Sequence, residues 1–240
     1  MKVLDTSTSI HIYSNFIHML TRPRGEDKSW SLKMSFGDLK LESIHRMIDI
    51  TVSALALIAL SPILLSIAFL IRLQDGGPVL FRQTRVGKNG REFSFFKFRS
   101  MVLYADDLKT ALKSQNEHGA QGITFKMKSD PRITSIGRFI RKFSLDELPQ
   151  FYNVLIGDMA LVGPRPAVVA EVARYDDHAR RRLTVRPGLT CYWQIMGRAE
   201  LDFNQQVELD LKYIANRGII EDTRILLATP RAILSGRGAY

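Results

Sequence analysis

Two carboxylates stand side by side at Asp146-Glu147, inside Phe143-Ser144-Leu145-Asp146-Glu147-Leu148-Pro149-Gln150, in a long segment that is otherwise strongly basic. An ionised, positioned aspartate is a competent nucleophile toward phosphorus, and aspartyl-phosphate intermediates are a known chemical solution. A second carboxylate beside it offers hard oxygen to a divalent cation that screens phosphate charge. Neighbouring residues on a helix point about 100° apart, so the two groups would take different jobs, one attacking and one binding metal. The same residues also fit a purely structural pattern. Ser144 as an N-cap with Glu147 three positions later is a capping box, in which Glu147 only bonds back to a backbone amide. The sequence alone leaves both open.

Phosphate chemistry needs cations, and the chain has them: 34 Lys and Arg against 24 Asp and Glu, a formal net charge of +10 over 240 residues. Such a balance favours nucleic acid, an acidic lipid surface or a phosphorylated substrate as partner. No nucleic-acid recognition motif occurs, so nucleic acid is not expected. Neither Gly-x-Gly-x-x-Gly nor a P-loop is present, and separate arginines must therefore hold any phosphate. Arg165, in Gly163-Pro164-Arg165-Pro166, and Arg198, after Gly197, are the best placed, since each sits in a Gly/Pro-rich loop; either could equally be an ion-pair partner. The single cysteine, Cys191, excludes an internal disulfide and a Cys-rich zinc site, and the five histidines show no metal-ligand spacing.

The elements that must position these residues follow from hydrophobic patterning. Residues 1–40 mix polar and charged side chains without periodicity or an apolar core segment, and are expected to form a poorly ordered or loosely docked extension with no secretory signal. From Ile50 to Ile71 no side chain is charged; about 22 residues of helix reach roughly 33 Å, enough to cross a bilayer core. Ser61-Pro62 interrupts the run, and basic residues flank both ends: Lys40, His45 and Arg46 before, Arg72, Arg82, Arg85 and Lys88 after. Basic flanks on both sides favour a segment that dips into one leaflet and returns, over a kinked spanning helix, with the Ser61 hydroxyl satisfying a carbonyl freed near Pro62. The expected organisation is thus 1–40 extension, 41–75 re-entrant membrane helix and 76–240 catalytic domain. Within the last, Val79 to Met101 reads as a hairpin about Gly87-Lys88-Asn89-Gly90, whose interleaved phenylalanines would bury rings on one side while Lys97 and Arg99 present cations on the other. Helices are expected over Val102–His118, up to Arg141 with Ile136, Phe139 and Ile140 as stripe, over Ala167–Leu183, and over Phe203–Ala215; Ile219–Leu234 is an apolar segment interrupted at Pro230.

Read in order, the motifs resemble those of the bacterial sugar transferases, the monotopic polyprenyl-phosphate sugar-1-phosphate transferases that begin exopolysaccharide assembly. The likeness runs from about Leu41 to the C-terminus. It rests on the apolar segment with Ser61-Pro62, Gly77-Pro78-Val79 with Arg82-Gln83 and Arg85-Val86-Gly87, Lys97-Phe98-Arg99-Ser100-Met101, Ser144 to Gln150, Gly157-Asp158-Met159, Gly163-Pro164-Arg165-Pro166, Arg186-Pro187-Gly188 and Gly197-Arg198. The resemblance implies a helix-rich α/β catalytic domain with amphipathic interfacial helices, held on the cytoplasmic face of the bacterial inner membrane by a re-entrant helix broken at Ser61-Pro62. It implies a Mg2+-dependent two-step reaction in which Asp146 attacks the sugar-linked phosphate of a UDP-sugar, UMP leaves, and undecaprenyl phosphate takes the phosphosugar. Glu147 matches the magnesium-binding partner; Arg165, Arg198 and Asp210 match further substrate- or phosphate-binding residues. Glucose or galactose is the favoured sugar, and a homo-oligomer stays open. A non-catalytic basic adaptor tethering acidic partners to membrane is the rival from another class, and it leaves Asp146-Glu147 without a role.

Overall fold

The computed structural model describes residues 36–105, 107–108, 127, 130–197 and 201–234. The chain divides into two compact units, Met1–Asp38 and Leu39–Tyr240, and apart from the first turn of the first helix all that follows belongs to the second. Most of the expected extension over 1–40, and the greater part of the helix expected over Val102–His118, lie outside the described residues.

Helix α1 (Phe36–Ala59) begins ahead of the boundary expected at residue 41, and runs into α2 (Ser61–Asp75) through a bend of 60°. The bend falls where the sequence places it. Pro62 sits in the first turn of α2, where its missing N–H belongs among donors that have no helical acceptor anyway. The Ser61 hydroxyl donates to the Ile58 carbonyl at 2.7 Å, as expected of it. Gly76, left-handed at φ 68°, ends α2 by returning its amide to the Arg72 carbonyl. Among the described residues no single helix is long and apolar enough to cross a membrane, whereas this bent pair passes on length and composition. Met47, Leu55, Ile58, Leu65, Phe69 and Leu73 stand exposed along it.

The opposite side of the pair is tied to the rest of the unit. Arg46 donates to the carbonyls of Val154 (2.6 Å) and Leu155 (2.7 Å), Asp49 accepts the Leu161 amide at 2.9 Å, and His45 lies 3.2 Å from Asp222. Further along, Ile67 and Ile71 pack on Phe98 and Ile140.

The expected hairpin forms as β1 (Leu80–Val86) and β2 (Glu92–Phe98), antiparallel, with Asn89 and Gly90 both at positive φ in the turn. Helix α3 (Ser135–Lys142) follows, its N-cap Thr134 accepting the Gly137 amide. A 3-10 turn at Leu145–Glu147 leads into α4 (Gln150–Ile156). Strand β3 (Ala160–Val162) runs parallel to β5 (Gly188–Thr190), and β4 (Ala167–Val168) adds to the free edge of β1. A side chain at Gly188 would overlap the Gly163 backbone, so the Gly163-Pro164-Arg165-Pro166 loop is pressed against β5. Phe93, Phe95, Val154, Met159, Leu161, Tyr213 and Ile225 form the main core.

One expectation fails in this half. Ala167–Leu183 is not a continuous helix but β4, a short α5 (Val169–Val172), a short α6 (Asp177–Arg180) and a 3-10 turn at Arg181–Thr184. Asp176 restarts the helix by accepting the Ala179 amide at 2.7 Å, and Tyr175 is buried just before it. After α7 (Tyr192–Met196), α8 (Phe203–Asn216) opens on an Asp202–Gln205 capping box, and α9 (Ile219–Leu234) runs through Pro230 without ending there.

Candidate active site

Asp146 and Glu147 sit on the 3-10 turn between α3 and α4, and the capping box does not form. Ser144 is left-handed at φ 53° and its hydroxyl caps nothing. Glu147 is drawn instead to distant cations: its Oε1 accepts from Lys97 Nζ at 2.7 Å and from Arg165 Nη1 at 3.0 Å. Each partner arrives for a local reason. Lys97 follows Phe93 and Phe95 at the two-residue period of β2, so it shares their inward face, with its amine 5.5 Å from the centre of the Phe95 ring. Arg165 is fixed between two prolines, its guanidinium 5.9 Å from the centre of the Trp193 ring.

Electrostatics separate the two carboxylates. Burial alone would raise Glu147, but Coulombic attraction to Arg165 and Lys97, with the hydrogen bonds each donates, holds its carboxyl well below the usual range. Glu147 is therefore ionised, with its pairing concentrated on one oxygen. Burial pushes Asp146 up; Lys97, 3.8 Å away, opposes this and the negative Glu147 adds to it. Among the described residues no hydrogen bond ties down an Asp146 oxygen. Lys97 itself is lowered by burial, and Arg165 is raised by Glu147.

These four side chains line a cleft of about 840 Å³, whose lining also includes the apolar Phe81, Leu226 and Ile233. Among the described residues no group of three or more His, Cys, Asp or Glu converges to hold a metal by itself. Two adjacent carboxylates, one firmly ionised, nonetheless suit Mg2+, which takes one or two carboxylates and completes its shell with water and substrate phosphate oxygens.

The other residues singled out from the sequence fare differently. Arg198 lies outside the described residues. Asp210, matched by resemblance to a substrate-binding position, is fully buried behind the cleft and does not line it. Arg182 donates to its Oδ2 from Nε (2.7 Å) and Nη2 (2.5 Å), and from Nη1 to the Tyr175 hydroxyl at 3.1 Å. Burial pushes Asp210 up to about 6, an effect Arg182 offsets only in part. Arg182 itself reaches the cleft wall, so Asp210 meets the cleft only through it. Arg180-Arg181-Arg182 thus does not simply complement a helix end, because its last member is spent on Asp210. Lys97 was the residue missed. Expected to face away from the rings, it shares the Phe93 and Phe95 face instead, because the strand period of two puts residues 93, 95 and 97 on one side.

Buried Asp146 and half-buried Glu147 thus stand among lysine and arginine on the wall of a cleft that also has apolar lining. Residues 41–236 match the family described as bacterial sugar transferase, and the chain belongs to that family. It is 48% identical over 195 residues to the galactosyl transferase CpsE of Streptococcus agalactiae serotype III (strain NEM316), covering 81% of this chain and 43% of that protein. Identity is 39% over 197 residues with the exopolysaccharide production protein ExoY of Sinorhizobium fredii, 81% of this chain and 87% of the relative. With the UDP-glucose:undecaprenyl-phosphate glucose-1-phosphate transferase of Escherichia coli (strain K12) it is 34% over 252 residues, 100% of this chain and 52% of the relative. The chain thus spans about half the length, or less, of the streptococcal and E. coli proteins.

Proposed function

We propose that the chain transfers a hexose 1-phosphate from a UDP-sugar to undecaprenyl phosphate, with Asp146 carrying the phosphosugar covalently between the two half-reactions. The observation that carries this is the unequal treatment of the two carboxylates: Glu147 is neutralised and fixed by Lys97 and Arg165, while Asp146 faces the same cleft and, among the described residues, no hydrogen bond commits its oxygens. The printed names of the streptococcal and E. coli relatives support a galactosyl or glucosyl donor and an undecaprenyl-phosphate acceptor.

In the first half, an Asp146 oxygen attacks the phosphorus that bears the sugar. The new O–P bond forms as the bond from that phosphorus to the bridging oxygen breaks, and UMP leaves with the electron pair. Burial, by raising Asp146, makes its carboxylate more basic and hence more nucleophilic than a solvated one. Lys97 and Arg165 place fixed positive charge where the diphosphate oxygens gather. In the second half a phosphate oxygen of the lipid attacks the same phosphorus, the Asp146–phosphorus bond breaks, and the carboxylate is regenerated. Glu147, with Asp146 beside it, would hold Mg2+, which supplies neutralisation of the donor's diphosphate charge.

The bent pair α1–α2 supports a re-entrant placement in the inner leaflet. Its exposed apolar face and basic flanks would fix the cleft at headgroup height on the cytoplasmic face, where a polyprenyl tail stays in the bilayer and a UDP-sugar arrives from water. The test is UMP release from a panel of UDP-sugars, UDP-galactose and UDP-glucose first, with undecaprenyl phosphate and Mg2+. Wild-type protein releases UMP with at least one of them, and Asp146→Asn with none; wild-type turnover by that variant overturns the mechanism.

A further inference from the structure

The cleft wall carries more cations than its carboxylates neutralise. Arg99 is paired with Asp75, Arg132 with Asp130, Arg165 with Glu147 and Arg182 with Asp210. Arg82, Arg85 and Arg141 line the same wall with no carboxylate within ion-pair distance among the described residues; of these, Arg85 is half-buried and close enough to Arg165 to be repelled by it, with Glu171 and Glu147 attracting it only from farther off. A partly desolvated cation with no carboxylate in direct contact costs free energy in the empty protein, so its presence in a cleft points to an anion that arrives from outside.

The local geometry says which edge of Arg85 is available. The residue sits on β1 opposite Val168 of β4, next to the loop that carries Arg165. Its Nη1 donates to the Pro166 carbonyl at 2.9 Å, and its guanidinium carbon lies 5.1 Å from the centre of the Phe95 ring. A guanidinium resting on a ring keeps its N–H edge for acceptors in its own plane. The Nε–H is buried and has no acceptor among the described residues. Burial, and the like charge of Arg165, lower Arg85 to about 10, which leaves it a cation at neutral pH.

We propose that Arg85 is a substrate-binding residue of this cleft, holding oxygens of a diphosphate together with Arg165. Arg165 is half committed to Glu147, so Arg85 supplies a charge that no carboxylate among the described residues contacts directly, and its bond to Pro166 keeps both guanidiniums in register. A diphosphate gains both forks, a monophosphate fewer of their donors, and a nucleoside neither. The assignment rests on reading the cleft as a site for phosphorylated substrates, and goes beyond it in naming the group that discriminates diphosphate from nucleoside.

The test is binding of UDP, inorganic pyrophosphate and uridine to the full chain in detergent or nanodiscs, by calorimetry, for wild type, Arg85→Gln and Arg85→Lys. Loss of one charged hydrogen-bonding group predicts that Arg85→Gln weakens UDP and pyrophosphate by about 10- to 100-fold and leaves uridine unchanged. Arg85→Lys, which keeps the charge without the fork, falls between, and carries the test if the Gln variant does not fold. Equal weakening of UDP and uridine means that Arg85 only braces the Pro166 loop, and overturns the proposal, as do unchanged pyrophosphate affinity in Arg85→Gln and absence of pyrophosphate binding by wild type. UMP release is measured separately: Arg85-dependent pyrophosphate binding without UMP release refutes the transferase reading and leaves the Arg85 assignment standing.

Discussion

Two ion-pair systems lie within a few side chains of each other, and they are built on opposite principles. Behind the cleft, Arg182 and Asp210 form a closed pair: both are buried, both of Arg182's hydrogen bonds to the carboxylate end on one oxygen, and Tyr175 takes a further donor. At the cleft, two cations converge on Glu147 while the adjacent Asp146 has no hydrogen bond among the described residues. The closed pair fixes α8 to the Arg181–Thr184 turn, and of its two members only Arg182 reaches the cleft wall. The open one holds surplus positive charge and an uncommitted carboxylate. Position beside an arginine does not separate a structural aspartate from a reactive one, and neither does saturation, since Asp210 Oδ1 is itself buried without a hydrogen-bond partner among the described residues; what separates them is that Asp146 lines the cleft and Asp210 does not.

The sharpest way to break this contrast is to change each aspartate by its smallest step. Asp146→Asn preserves shape and is expected to lower UMP release by at least about 10³-fold, as loss of a nucleophile does, with the thermal midpoint held. An Asp146→Asn protein that turns over normally would place the chemistry elsewhere. Next is Arg182→Met, which strands the Asp210 carboxylate and is expected to cost about 3–5 kcal/mol in denaturant unfolding. The double variant Arg182→Met with Asp210→Leu should recover most of that loss, because a buried pair replaced by apolar side chains is often close to neutral. If it regains stability and also UMP release, the pair is structural; stability without activity would give Asp210 or Arg182 a contact with substrate. Smaller again is Glu147→Gln, expected to reduce UMP release by about 10²-fold and to raise the Mg2+ concentration needed for half-maximal rate. A Gln variant with unaltered Mg2+ dependence would remove Glu147 from the metal role.

The contrast also explains what could be read from the chain and what could not. The break at Ser61-Pro62, the hairpin about Asn89-Gly90 and the stop at Gly76 follow from local rules, because proline geometry, turn chemistry and left-handed glycine act within a few residues. Asp146-Glu147 could be singled out for its charge, but the local pattern offered a capping box. That box lost to Lys97, 50 positions away, and Arg165, 18 positions away. Two long-range charged hydrogen bonds outweigh one short-range bond to a backbone amide. The helix expected over Ala167–Leu183 failed for a related reason, since Tyr175 and Arg182 are both claimed by the Asp210 cluster and Asp176 has to restart the chain. Lys97 sat in plain view in a strand whose alternation placed it inward, yet inward-facing lysine carries no meaning until the carboxylate it meets is known.

The smallest predicted effect tests the contrast by pH, where the two systems move in opposite senses. Asp210 is raised to about 6 in the folded protein, so its contribution to stability is fully present below its ordinary pKa near 3.8 and is lost as pH rises through about 6. Glu147 is lowered, so its contribution is present above its ordinary 4.5 and is lost only as pH falls toward its depressed value. Between roughly pH 4.5 and 6, Asp210 therefore favours the folded state as the solution is made more acid, with a slope of up to about 1.4 kcal/mol per pH unit, while Glu147 adds little. Asp146, also raised by burial, adds to the same trend in stability. Activity runs the other way, because a nucleophile must be deprotonated, and the acid limb of UMP release should lie above that of an ordinary aspartate. Denaturant unfolding at several pH values, for wild type and Asp210→Asn, reads the first effect as a flattened slope in the variant. The rate profile of the same two proteins reads the second: an acid limb shared by both belongs to Asp146, whereas a limb that vanishes with Asp210→Asn would make the buried pair part of the chemistry after all.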